Sequence, residues 1–186
     1  MAGRTDESTR TRMTAAEFLA LPESNRLEEL LHGEYILNPP PSDAHQKIVG
    51  RTHILLNDLI TGGELRIAPT GVYLDEENFV EPDVFWVSPH NPRCQLREGR
   101  YWHGAPDLVV EVLSPGTARH DRVIKFSLYE QHGVREYWII DPDTQYVEVW
   151  RLEGELFALQ GSYGPGRRFE SAVLSVQVDV SKVFEG

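Results

Sequence analysis

Leu108-Val109-Val110-Glu111-Val112-Leu113 is a continuous apolar run broken by a single acid. Bounded by Ala105-Pro106 and Ser114-Pro115-Gly116, it reads as a central strand covered on both faces. An ionised carboxylate in such a strand is costly, since even lesser polar groups cost about 2 to 7 kcal/mol to bury without a partner. Upstream, Pro82-Asp83 interrupts a similar stretch from Val80 to Val87. The two-residue period of a strand puts Asp83 beside Phe85 and Val87, and Glu111 beside Val109 and Leu113. Two acids projecting from apolar faces look like a metal site, because a shared divalent cation removes the burial penalty. Taken singly, each acid has another reading: Asp83 opening a turn after Pro82, and Glu111 facing solvent on an edge strand or pairing with an arginine.

The chain around this run alternates helix and strand signals. Thr14 followed by Glu17 fits a capping box, predicting a short helix to about Leu21 before Pro22. Leu27 to Leu37, with His32-Gly33 at its centre, reads as a hairpin, although Glu28 to Leu31 would also suit a helical turn. Ser42 or Asp43 then caps an amphipathic helix to about Ile60, with Ile48, Thr52, Leu55, Leu56 and Leu59 on one side. Strands are predicted at Leu65 to Ala68, Gly71 to Leu74 and Val80 to Val87, followed by a loop from Ser88 to Arg100. A second helix is expected from about Arg119 to His132, stopped by Gly133. Glu136 to Ile140 turns through Asp141-Pro142-Asp143-Thr144 into Tyr146 to Leu152, and Leu156 to Leu159 with Val176 to Val180 continues an antiparallel extension. The expected class is α/β, a mixed sheet flanked by helices, with an N-terminal hairpin and a β-rich C-terminus.

At 186 residues the chain suits one domain, expected over 13–186 behind a disordered tail at 1–12. No apolar run approaches the roughly 18 residues that cross a bilayer, and the polar first dozen residues do not resemble a secretory signal, so no membrane partner and a cytoplasmic location are expected. A single cysteine excludes an internal disulfide and a thiolate zinc site. Cys94 stands between Arg93 and Arg97, which would lower its thiol pKa, though a lone loop cysteine is more often incidental. The net charge of −11 opposes non-specific attraction to nucleic acid. From Arg93 to Arg135, however, seven basic residues stand against five acids, leaving room for a locally basic face.

Asp121, Lys125 and Tyr129 recur at i, i+4 and i+8 and so share one side of the helix that follows the Glu111 strand. An exposed Asp/Lys pair would have the same spacing. His45, near a helix N-terminus, is more simply a structural residue. Tyr137-Trp138 and Tyr101-Trp102 suggest base-stacking platforms. Strand propensity argues that the first pair packs, while Tyr101 and Trp102, in a polar loop, remain open to a partner.

Several stretches carry a family likeness: Leu30 to Gly33, the proline run with Ser42 and His45, Glu81-Pro82-Asp83, Ala105 to Pro115 with Asp121 and Lys125, and Gly133 to Pro142. Together they resemble the Uma-two family of restriction-endonuclease-type proteins, assigned to the PD-(D/E)XK nuclease superfamily. The resemblance implies a mixed sheet flanked by helices and Mg²⁺-dependent cleavage of DNA, with Mn²⁺ as a substitute and a homodimer by analogy. Carried over, it makes Asp83 and Glu111 the acids of the two motifs. They would hold the metal with the backbone carbonyl of Val112. The motif lysine belongs two positions after Glu111, where this chain has Leu113. Lys125 is the expected replacement, positioned by Asp121, with Glu29, His45 and Tyr129 in support and Glu29 contacting water at the metal. Two rivals stand beside this reading: a catalytically inactive nuclease fold serving as a DNA-binding or protein-interaction module, and a small-molecule hydrolase using the same metal.

Overall fold

In the computed structural model, which describes residues 12–22, 26–116 and 118–185, the run around Glu111 is the strand on which the site is registered. Along the chain lie α1 (Ala15–Leu19), β1 (Glu28–Leu31), β2 (Glu34–Leu37), α2 (Asp43–Leu59), β3 (Glu64–Ile67), β4 (Val72–Asp75), β5 (Asn78–Val80) and β6 (Val84–Val87). They are followed by β7 (Gln95–Arg97), β8 (Tyr101–His103) and β9 (Leu108–Val112). A π-helical turn (His120–Lys125) runs into α3 (Phe126–His132). β10 (Glu136–Asp141), β11 (Tyr146–Glu153), β12 (Leu156–Tyr163), β13 (Arg168–Ser171), β14 (Val176–Asp179) and α4 (Ser181–Phe184) complete the order. The tail expected at 1–12 lies, but for Arg12, outside the described residues.

Two six-stranded sheets form, ordered β2-β1-β5-β4-β8-β7 and β12-β11-β10-β9-β6-β3, with β13-β14 as a separate hairpin. In the second sheet β9 and β10 are parallel, with Ile139 opposite Glu111. Parallel neighbours need a crossover connection, and here it is the π turn with α3. Leu108, Val110 and Val112 pack towards Ile48, Val49, Leu55 and Leu56 of α2. Val109 and Leu113 belong to the opposite cluster, with Leu128 and Tyr129 of the crossover. Alternation therefore turns Glu111 towards the crossover helix. Ser42 caps α2, accepting the His45 amide at 3.2 Å, and Thr14 and Glu17 form the expected capping box on α1.

Four expectations are corrected. Val80 to Val87 is two strands, not one: Val80 pairs with Val72 in the first sheet, while Val84 pairs with Ile67 and Val110 in the second. Pro82 cannot donate to a ladder, so the chain leaves one sheet before it and enters the other after it. The loop from Ser88 to Arg100 contains β7, whose residues are all exposed and so carry no burial alternation to announce a strand. Tyr101 and Trp102 are accordingly strand residues paired with β7, and Trp102 is buried edge-on to Phe85. Val176 to Val180 extends no large sheet. β14 pairs with β13, and Val178 and Val180 close the core on the α2 side. Among the described residues no helix is long and apolar enough to cross a membrane.

Candidate active site

Lys125 ties the two sheets together. Its Nζ lies 2.9 Å from Glu29 Oε1 on β1 of the first sheet and 3.1 Å from Glu111 Oε1 on β9 of the second. Asp121, on its own turn, stands 3.5 Å away. All four side chains are buried. Tyr129 donates its hydroxyl to the same Glu111 oxygen at 2.7 Å. The i, i+4, i+8 face read from the sequence thus does look at Glu111, and Lys125 reaches that acid from the helix. Leu113 itself is buried in the core.

The second acid sits at the seam between the sheets. Asp83 Oδ2 accepts the Val112 amide at 2.7 Å, and the Asp83 amide points to Glu111 Oε2 at 3.4 Å. These contacts hold Asp83, Glu111 and the Val112 backbone around one small cavity. His45 Nε2 is 3.3 Å from Asp83 Oδ2, so the first turn of α2 buttresses the acid. Glu29 Oε2 accepts Asn38 Nδ2 at 2.8 Å and Oε1 accepts the Glu81 amide at 3.0 Å, which fixes the strap from β2 to α2 against the site.

Charge in this cluster is lopsided. Glu29, Glu81, Asp83, Glu111 and Asp121 face two basic groups, Lys125 and His45. Burial draws the Lys125 pKa down, but Glu111, Glu29 and Asp121 outweigh it and hold the ammonium protonated well above the usual lysine value. Burial pushes Glu111 well above the ordinary carboxylate value, against the pull of Lys125. Burial and then Glu29 push Glu81 up to about 7. For His45, burial lowers the pKa, but the hydrogen bond and charge of Asp83 leave it raised overall. Burial likewise raises the Tyr129 phenol, keeping it a donor to Glu111.

An excess of buried carboxylates is what a hard cation relieves. The cavity has a volume of about 50 Å³ and is lined by Asp83, Glu111, Val112, Asp121, Glu81 and His45. Glu81 Oε2 is buried without a hydrogen-bond partner. Among the described residues no three Asp, Glu, His or Cys side chains form a ready-made cage. The donor set instead fits an ion that takes one or two carboxylates and keeps several waters, as Mg²⁺ does.

A family model, Uma2, described as "Putative restriction endonuclease", matches residues 15–181. The chain belongs to the Uma2 family. A curated relative, the uncharacterized protein slr1290 of Synechocystis sp. (strain ATCC 27184 / PCC 6803 / Kazusa), is 24% identical over 180 residues, 94% of this chain and 93% of that one. The crystal structure of a putative nuclease belonging to DUF820 from Anabaena variabilis ATCC 29413 superposes with a TM-score of 0.74 at 22% identity, covering 92% of this chain and 97% of that chain. That likeness establishes the fold, a nuclease-type mixed α/β architecture.

Within this Uma2 chain the structure brings together every residue the sequence offered for the metal site: Asp83, Glu111, Val112, Asp121 and Lys125, with Glu29, His45 and Tyr129 around them. Sequence reasoning gave Glu81 no role. The available signal was a second acid two positions before Asp83, in the link between the two sheets. Cys94 is corrected. Burial and then Asp107 push its thiol up to about 12, the opposite of the effect expected from Arg93 and Arg97.

Proposed function

We propose that this chain is a Mg²⁺-dependent endonuclease that hydrolyses DNA phosphodiester bonds. The observation that carries the reading is the 3.1 Å contact between Lys125 and Glu111, which restores the acid–lysine pair that Leu113 breaks in the sequence. Asp83, Glu111 and the Val112 carbonyl would hold Mg²⁺ or Mn²⁺. Bound there, the ion supplies Lewis-acid polarisation of the phosphoryl group and a lowered pKa for water. Lys125 works as a fixed cation, since its raised pKa rules out a general base at neutral pH. It steadies the charge that develops on the phosphoryl oxygens and orients the attacking water. Glu29 and Asp121 hold that ammonium in place, Tyr129 fixes the Glu111 carboxylate, and His45 fixes Asp83.

The same reading takes one domain over 13–186, acting in the cytoplasm, and a homodimer, by analogy with nucleases that restrict cleavage to particular sites through two active sites. Incubating the protein with plasmid and Mg²⁺ or Mn²⁺ is expected to give nicked or linear products. Asp83→Ala and Glu111→Ala should each lower the rate by about 10² to 10³. Cleavage untouched by both substitutions overturns the site, and DNA binding without any cleavage assigns the fold to a non-catalytic module.

A further inference from the structure

Beside the carboxylate slot lies a second cavity of about 500 Å³, between α1, β1, β5 and β8. Glu81 lines both, so the two spaces are neighbours across this residue. The larger one is in the range of small-molecule sites, about 300 to 1,000 Å³, whereas the slot has room for an ion and little else. Phe18 and Phe79 give the cavity an aromatic floor, with ring centroids 5.4 Å apart. Tyr101 stands edge-on to Phe79 at 5.2 Å, and the Arg100 guanidinium lies over the Tyr101 ring at 5.0 Å.

Two acids, Glu28 and Glu81, also line this cavity. They make it a poor well for a phosphate, but carboxylates accept hydrogen bonds from the exocyclic amines of bases. An aromatic, arginine-flanked space with carboxylate acceptors therefore matches a nucleobase, with Arg26 and Arg100 at its edge to meet the backbone on either side.

The slot's rim points the same way. Pro39, Pro41 and Ser114 line it, and a Cβ on Gly116 would lie 3.2 Å from Pro39 Cγ, so the strap before α2 and the loop after β9 touch. A phosphate reaches a slot bordered this closely on a strand that can bend into it, which a stacked duplex resists.

Resting on the nuclease reading above, we infer that the substrate is single-stranded or unpaired DNA, with one base seated in the Phe18–Phe79–Tyr101 cavity while its neighbouring phosphate enters the Asp83–Glu111 slot. The test compares three fluorescein-labelled substrates of one sequence: a single strand, its blunt duplex, and a duplex carrying an unpaired flap. Cleavage is followed with Mg²⁺, and binding by anisotropy in EDTA. Single strand and flap are expected to be bound and cut at least about tenfold better than blunt duplex. Tyr101→Ala and Arg100→Ala should erase that preference mainly by raising KM, while Leu156→Ser, exposed and remote, leaves it intact. Arg100 is exposed, so its substitution decides the matter even where Tyr101→Ala melts early. Equal cutting of all three substrates, or a preference that survives Arg100→Ala, overturns the inference and leaves the nuclease standing. Failure to bind or cut any of them overturns both.

Discussion

Glu111 and Glu136 are both glutamates buried on neighbouring parallel strands, yet they are solved in opposite ways. Glu136 has a neutral donor on each oxygen, Trp138 Nε1 on one at 2.8 Å and the Ala172 amide on the other at 2.9 Å, and the Arg151 cation stands 3.9 Å away. It pins the turn before β14 to the sheet. Glu111 shares its single buried lysine with Glu29 and Asp121, and faces Asp83 and Glu81 across a cavity. An acid inside a strand is therefore not in itself a sign of chemistry. Unmatched charge beside open space is the sign.

The comparison breaks most readily at Lys125. Lys125→Met leaves Glu29, Glu111 and Asp121 buried without their cation, at a cost of about 3 to 5 kcal/mol in urea unfolding at neutral pH. A variant as stable as the parent would show that the cluster carries no uncompensated charge. Next comes the ion. Mg²⁺ at a hundred times its Kd should stabilise the parent by about 2.7 kcal/mol, and Glu111→Gln should lose that response in a thermal melt. Glu136→Ala is expected to cost about 1 to 3 kcal/mol by stranding the Trp138 and Ala172 donors, with the Mg²⁺ response unchanged. A lost Mg²⁺ response there would erase the distinction between the two glutamates.

The smallest effect concerns pH. Glu81 has its folded pKa pushed up to about 7, above the ordinary 4.5, so the folded state binds its proton more tightly. The stability it contributes is full below the unfolded value and is lost as pH rises towards 7. Glu81→Gln should flatten the profile of unfolding free energy between those limits. A variant with the parental slope assigns the titration to another group.

Much of this was legible in the chain because the signals were local. The Thr14–Glu17 capping box, the hairpin at His32-Gly33, the α2 face and the turn at Asp141-Pro142 each rest on a few adjacent residues, and each appears as read. Asp83 and Glu111 were legible because a polar side chain in an apolar pattern stands out at any distance, and Lys125 because it shares a helix face with Asp121 and Tyr129. What escaped was non-local. Nothing adjacent to Val80 or Val84 says that they join different sheets, and β7 exists only because β8 lies beside it. The Glu29–Lys125 contact joins a strand of the first sheet to the crossover helix of the second, and the cavity beside Tyr101 depends on α1 folding back over β5.

Asp121, Lys125 and Tyr129 would drift by about 80° around an ordinary α-helix over their eight positions. The wider π-helical turn from His120 to Lys125 takes back much of that rotation, so all three meet at Glu111.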